Sequence, residues 1–415
     1  MAERRMDRLG AAKMQAGGSI PELRRFVAAH FRPRGAERTI DLPMIRLTIH
    51  NLTLRRDEIT LLDQVGIEAR PGRIHLVLGR PESGKTVLAR ALAGLEPDCT
   101  GEIYLDGRDI IDIPPEKRRV GLVATDPGLW PGLSAGTNVD FGLKYRGIAR
   151  QDRKSRISEA LGWFGVDSLK HRRVESLTPI ESRRVALARA LAVDPQVMIM
   201  DDPLDDLAEG ESRALRDDIV RVHTEQRVTT VIMARDVDPW WEFADRISLL
   251  HEGRILRTGP PDEVFHRPES LDAAAFFGPC NVIEGVAEAI DPRGEVLVRT
   301  ACGRLLGRVV SSQGFVPRQG EPVIVMFRPE AIALGAVAGS ATAQVNRIPV
   351  RVVRTTFAGR TFRCELEAPG EVPLTATLLA GQATGIRPET NLTALIPSEM
   401  MSVASASRNP EYEPV

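Results

Sequence analysis

The sequence predicts a doubly wound α/β domain followed by an all-β domain. Three observations carry that reading. First, an apolar run of strand length, Ile74 to Leu78, leads into Gly79-Arg80-Pro81-Glu82-Ser83-Gly84-Lys85-Thr86, and a helical stretch follows. Second, Gln196-Val197-Met198-Ile199-Met200 is a buried-type strand ending in Asp201-Asp202, and strands alternate with helices around it, which implies a parallel sheet. Third, beyond about residue 278 the chain turns to short β-rich segments separated by Gly or Pro, which predict an all-β domain of small barrels.

Residues 1–43 are Arg-rich and weakly patterned. One short helix is expected over Ile20 to Phe31, and loose order elsewhere. From Met44 the chain alternates apolar and polar residues through Ile49, so the folded part is expected to begin there. Met44 is also expected to lie near the start of the native chain.

The stretch Gly79 to Thr86 has the spacing G-x-x-x-x-G-K-[ST]. Two glycines let the backbone turn tightly and present N–H groups to phosphate oxygens. Lys85 adds a cation for the terminal phosphates, and the Thr86 hydroxyl is placed to ligate Mg²⁺. Thr86 to Leu95 reads as a helix, with Leu88, Leu92 and Leu95 on one face and Val87 in its first turn. A chance match in a Gly-rich turn is disfavoured by the strand before the loop and the helix after it.

Further on, Thr100 to Gly107 reads as a strand and turn, and Val120 to Ala124 as a strand. The stretch from about 126 to 176 lacks strand signals and carries helical spacing at Ile157, Leu161 and Phe164, so an inserted helical subdomain is expected. Thr229 to Ala234 is another buried strand. Pro114 to Arg119 reads as a solvated loop, and Trp240-Trp241 as packing. In a doubly wound sheet, sites lie at the carboxyl ends of strands, where Gly79 and Asp201 fall. An aspartate there reaches Mg²⁺, although it also serves well as a helix N-cap; the phosphate loop upstream favours the metal role. Late strands are expected at Glu295 to Arg299, Pro322 to Phe327, Val350 to Thr355 and Thr361 to Leu366, and a polar tail over 404–415.

Composition bounds the function. The chain has 415 residues, 43% of them apolar and 27% charged, with a net charge of −1. That balance is ordinary for a globular protein and gives no sign of a nucleic-acid partner. Cys99, Cys280, Cys302 and Cys364 are scattered, with no paired spacing, and read as reduced thiols. No run approaches the length that spans a bilayer, and no apolar leader is visible.

With these elements placed, the chain resembles the nucleotide-binding subunits of ABC transporters. More narrowly, it is similar to bacterial importer ATPases of the sugar, glycerol-phosphate, polyamine and ferric-ion type. Leu129-Trp130-Pro131-Gly132-Leu133-Ser134 with Asn138-Val139 matches the start of the helical subdomain, and Arg184 to Leu191 the signature helix. Ala244-Asp245-Arg246-Ile247, Gly253-Arg254-Ile255, Phe276 to Asn281 and Phe327-Arg328-Pro329-Glu330 match the core end, the joint and the C-terminal region.

The resemblance implies an ABC-type nucleotide-binding domain over 44–278 and an OB-like regulatory domain over 279–403. It implies ATP and Mg²⁺ as cofactors and a head-to-tail dimer in which each ATP lies between one subunit's phosphate loop and the other's signature. It also implies docking under two membrane-spanning permease subunits at the cytoplasmic face of the membrane, with a periplasmic or extracellular solute-binding protein as an indirect partner.

Against that pattern, several positions depart. Thr125 stands where the family has a switch glutamine. The signature L-S-G-G-Q reads Leu177-Thr178-Pro179-Ile180-Glu181, which removes an N–H, adds bulk and adds a negative charge where phosphate donors are wanted. Asp202 replaces the catalytic glutamate, Ala208 the D-loop aspartate and Arg235 the switch histidine. Arg56 falls where an aromatic stacks on adenine. With Gly79 to Thr86 and Asp201 intact, the expected protein binds ATP, hydrolyses it poorly and pairs with an intact sister ATPase. Two other readings stay open: an active homodimeric ATPase, and a regulatory or structural protein without hydrolysis.

Overall fold

The computed structural model describes residues 46–310, 315–335, 345–383 and 385–406. The expected helix over 20–31 and most of the expected tail lie outside them. In chain order, the nucleotide-site region holds β1 (Leu47–Arg56), β2 (Ile59–Ala69), β3 (Ile74–Leu78), α1 (Lys85–Ala93), β4 (Thr100–Leu105), β5 (Arg108–Asp109) and β6 (Val120–Val123). Then come α2 (Ala135–Tyr145), α3 (Arg150–Trp163), α4 (Pro179–Leu191), β7 (Val197–Asp201), α5 (Glu209–Gln226), β8 (Thr229–Ala234), β9 (Arg246–His251), β10 (Arg254–Gly259), α6 (Pro261–His266) and α7 (Leu271–Ala275).

Strands β3, β7 and β8 are buried at every position, as near-continuous apolar runs in a parallel sheet covered on both faces should be. The six-stranded sheet has the order β10-β9-β3-β8-β7-β6. Side chains alternate between its faces, so the strand residues divide between two cores. Leu76, Leu78, Met198, Met200 and Ile232 pack with the helical subdomain and α5. Val77, Val197, Ile199, Val231 and Met233 pack with α1 and with a four-stranded sheet of order β2-β1-β4-β5. Each such side chain contributes roughly 1.5–3 kcal/mol relative to exposure. Trp240 is buried in the first core, in line with its reading as packing.

Two local expectations are corrected. Helix α1 stops at Ala93 because Gly94 adopts a left-handed conformation, φ 83°, and Leu95 is left 42% exposed. The Gly94 and Leu95 N–H groups donate back to Ala91 and Arg90 carbonyls at 3.0 and 2.8 Å, closing the helix end. The loop over Pro114 to Arg119 is not wholly solvated either. Arg118 is buried and donates to two last-turn carbonyls of α1, that of Leu92 at 3.2 Å and that of Ala91 at 2.9 Å, the latter shared with the Gly94 N–H.

The C-terminal part is all β. A closed barrel, ordered β11-β12-β13-β20-β14, is formed by β11 (Asn281–Ile290), β12 (Glu295–Thr300), β13 (Gly303–Val309), β14 (Pro322–Phe327) and β20 (Ser402–Ser405). Beside it lies a five-stranded sheet ordered β15-β19-β16-β17-β18, from β15 (Ala333–Gly335), β16 (Val345–Ala358), β17 (Thr361–Ala368), β18 (Val372–Leu379) and β19 (Asn391–Pro397). So one of the two β-units closes and the other is an open sheet. Ala404 and Ser405, expected in a tail, are buried in β20, where they pair with Ile324 and Val323 of β14.

Arg328 ties this region to the first. It is 2% exposed and donates to the carbonyls of Phe265 at 3.1 Å, Gly278 at 3.1 Å and Pro279 at 3.2 Å. Its guanidinium also lies over the rings of Phe265 and Phe277.

Candidate functional site

Strand register collects the candidate residues at one edge of the sheet. Leu78 pairs with Ala234, Asp201 with Met233, and Val123 with Met200. The residues that follow these ends are Gly79, Arg235, Asp202 and, one further on, Thr125.

The loop Gly79 to Gly84 is shaped by sterics. A Cβ on Gly79 would lie 2.2 Å from the Ser83 hydroxyl and 3.0 Å from the Leu250 carbonyl. Gly84, at φ 103°, serves as the N-cap of α1 without a side chain. Glu82 also takes a left-handed conformation, and the Ser83 N–H closes a turn onto the Arg80 carbonyl at 3.2 Å. Pro81, Glu82 and Thr86 are exposed, while Ser83 and Lys85 are buried. Val87 is half-buried and packs toward the second core.

Lys85 folds over this loop. Its Nζ donates to the Gly79 carbonyl at 2.7 Å and the Arg80 carbonyl at 3.2 Å, and sits 3.9 Å from Asp202 Oδ2. Burial lowers the Lys85 pKa, against the pull of Asp202 and Asp201. Burial likewise raises the Asp202 pKa, against Lys85. For both groups, loss of water outweighs the opposite charge beside them.

Asp201 is 2% exposed, and its Oδ1 has no hydrogen-bond partner in the protein. The buried Ser83 hydroxyl is also unpartnered. Buried polar atoms without partners are costly. An acceptor and a hydroxyl left open at a phosphate-type loop fit a metal ion and phosphate oxygens.

Asp202 has left-handed backbone, φ 44°, and its Oδ1 accepts the Arg235 N–H at 3.0 Å. The Thr125 hydroxyl donates to the Asp201 carbonyl at 3.1 Å, so its one proton is spent on the main chain. Ala208 is the N-cap residue of α5 and offers no side-chain cap. Arg56 stands apart from the loop. It pairs with Glu96 at 2.8 Å, beyond the far end of α1, which is about 13 Å long. The Arg80 head points to the Ala275 carbonyl at 3.3 Å, leaving its own main chain to the loop.

The stretch Leu177 to Glu181 opens α4 as a self-contained cap. The Thr178 hydroxyl accepts from the Glu181 N–H at 3.3 Å, and the Glu181 carboxylate accepts from the Thr178 N–H at 2.8 Å. Pro179 has no N–H. Among the described residues, that leaves the Ile180 N–H as the one free donor of this helix end. The expected bulk of Ile180 is instead half-buried and packed against the first core, with Leu177. The Glu181 charge, expected to face an anion, is turned back onto its own helix and toward Arg172 at 3.9 Å.

Sequence reasoning missed two residues. Buried Arg183 on α4 donates to the carbonyls of Asp202 and Pro203 at 3.5 Å and of Asp205 at 3.1 Å. Asp205 in turn forms an ion pair with Arg235 through its carboxylate. The signal for Arg183 was available: it shares an apolar helix face with Leu187, and a charge on such a face needs a partner.

Comparison with known proteins identifies the family. A family model described as ABC transporter matches residues 62–205. The Fe(3+) ions import ATP-binding protein of Agrobacterium fabrum is 34% identical over 309 residues, 74% of this chain and 84% of that protein. The spermidine/putrescine import ATP-binding protein of Pseudomonas aeruginosa is 31% identical over 305 residues, 74% of this chain and 82% of that one. The protein of the same name from Rubrobacter xylanophilus is 28% identical over 365 residues, 88% of this chain and 93% of that one. The chain belongs to the ABC transporter family, among its import ATP-binding proteins.

Proposed function

We propose that this chain binds MgATP at Gly79 to Thr86, turns it over slowly by itself, and pairs with a sister ATPase whose signature is intact. The observation that carries the reading is the closed cap at Thr178 to Glu181. A helix N-terminus holds phosphate through its free N–H groups, and here one is missing, two are bonded within the helix and one is left. As a receiver of a partner's nucleotide this end is poor. Its own phosphate loop is sterically intact and carries the unpartnered Ser83 hydroxyl.

Thr86 and Asp201 are the residues that would hold Mg²⁺, which supplies charge neutralisation along the phosphates. Lys85 adds a second cation from the loop side. Asp202 retains a carboxylate at the position expected to orient water, but one methylene shorter than glutamate. A misplacement near 1 Å costs roughly a hundredfold in rate. Thr125 cannot assist, since its proton is committed to the Asp201 carbonyl. Residual slow turnover, with fast turnover from the sister subunit, follows.

Phe141 and Tyr145 on α2 and Trp130 ahead of it are exposed aromatics, with Trp130 and Phe141 in ring contact at 4.3 Å. Exposed aromatics of this kind support docking of permease subunits there, at the cytoplasmic face of the membrane. No described helix is long and apolar enough to cross a membrane.

The test is the ATPase rate of the purified chain against that of the chain co-expressed with a sister subunit. The isolated chain should be slower by roughly a hundredfold. Rapid turnover by the isolated protein, abolished by Lys85→Ala, would overturn the proposal.

A further inference from the structure

We propose that Arg80 latches the nucleotide loop to the helix on which the C-terminal barrel is seated, so that a filled loop and a firmly held joint favour each other. This rests on nucleotide binding at Gly79 to Thr86.

The loop is gripped at this residue twice over. From within the loop, the Arg80 carbonyl accepts the Ser83 N–H at 3.2 Å and Lys85 Nζ at 3.2 Å. Lys85 Nζ also donates to the Gly79 carbonyl at 2.7 Å. The Arg80 side chain leads away to α7. It donates to the carbonyl of Ala275, the last residue of that helix, at 3.3 Å, and its guanidinium lies 5.9 Å from the ring centroid of Phe276, the residue after it. The last carbonyls of a helix lack intrahelical donors, so the one at Ala275 is open to such a bond. A guanidinium makes both contacts at once, because its edge donates while its face lies on a ring.

Helix α7 belongs to both regions. Ala273 is buried in the first core, whereas Ala274 is buried with Ile324 and Met326 of β14 and Ala404 of β20, and Leu271 packs against that same cluster. Just past the helix, Arg328 holds the carbonyls of Gly278 and Pro279. The joint is thus held at Ala275 by an arginine of the nucleotide loop and at Gly278 and Pro279 by an arginine of the C-terminal region.

Nucleotide changes the inner grip. A lysine at this place in a phosphate loop turns its donors to the phosphates, and those donors are taken from the Gly79 and Arg80 carbonyls. With Lys85 withdrawn, the outer contact at Ala275 and Phe276 carries a larger share of what fixes the loop. The free energy that links two sites is reciprocal. The latch therefore tightens nucleotide, and a filled loop holds α7 and the joint more firmly. Arg80 acts through the loop and α7 and is a positioning residue.

The test is hydrogen exchange by mass spectrometry over residues 271–278 of the full chain, with and without MgADP, together with the ADP dissociation constant from calorimetry. In the parent, MgADP should slow exchange there. Arg80→Gln should remove that protection and weaken ADP by roughly fivefold, the scale of an exposed ring contact and one hydrogen bond. Phe276→Leu, which removes the ring but keeps an apolar side chain, should cause part of the same loss, and no further loss in the Arg80→Gln background. Protection by MgADP that persists in Arg80→Gln overturns the proposal. So does a parent that binds ADP and shows no protection, or a Phe276→Leu loss that is the same with and without Arg80. Unchanged ADP binding in Lys85→Ala would instead overturn the nucleotide site itself.

Discussion

Replacing His75 with Gln should flatten the acid limb of this protein's stability curve. His75 is 2% exposed on β3, three residues before the end of the strand that carries the phosphate loop. Its Nδ1 lies 3.0 Å from the Glu68 carbonyl and its Nε2 2.8 Å from the Ser248 hydroxyl. A carbonyl can only accept, so Nδ1 carries the hydrogen and Nε2 accepts from Ser248, which satisfies the neutral ring completely. Burial lowers the pKa to about 4, with Arg246 adding to it and the Glu68 bond opposing it.

The sign follows from linkage. The folded pKa is below the unfolded one, so the unfolded chain takes up the proton first as pH falls. The full contribution is present above the unfolded value of 6.5 and is lost as pH falls toward about 4. At about 1.4 kcal/mol per unit, the total is about 3 kcal/mol, of which about 2 kcal/mol is lost by pH 5.

The assay is urea unfolding at pH 7.5 and pH 5, followed by tryptophan fluorescence. Trp130, Trp163, Trp240 and Trp241 are all in the nucleotide-site region, so the signal reports that part alone. His75→Gln should lose about 2 kcal/mol less than the parent between the two pH values. An identical acid loss in parent and variant would refute the reasoning.

Other outcomes follow from single contacts. Arg328→Met should leave the Phe265, Gly278 and Pro279 carbonyls without their donor and lower stability by roughly 3 kcal/mol, read as a lower denaturation midpoint and faster proteolysis near residue 278. Gly94→Ala should place a Cβ 2.6 Å from Arg118 Nε at φ 83°, costing about 1–3 kcal/mol and several degrees in melting temperature; an unchanged melting temperature would mean that Arg118 gives way freely.

Much of the framework was legible because its signals are local. Strand β3, the loop, α1 and Asp201 were readable from apolar runs, two glycines and one lysine, since strand period and turn sterics act over a few residues. The β-texture beyond residue 278 was readable for the same reason, but which unit closes was not. Closure depends on β20, more than ninety residues after β13 in the chain, pairing alongside it.

The charged side chains were the least legible. Arg118 looked like part of a solvated run and instead caps α1; Glu181 looked like a charge facing outward and instead completes its own cap. Arg235 was readable as a replacement, but not as the partner of Asp205.

By itself, then, the sequence determined the phosphate loop, the strand-end aspartate and the family. Tertiary structure alone decided how the altered residues are used. A loop's shape follows from the residues within it, whereas a long arginine or glutamate takes the nearest partner the fold supplies. That partner comes from another element, as Asp205 does for Arg235 and the Ala91 carbonyl for Arg118.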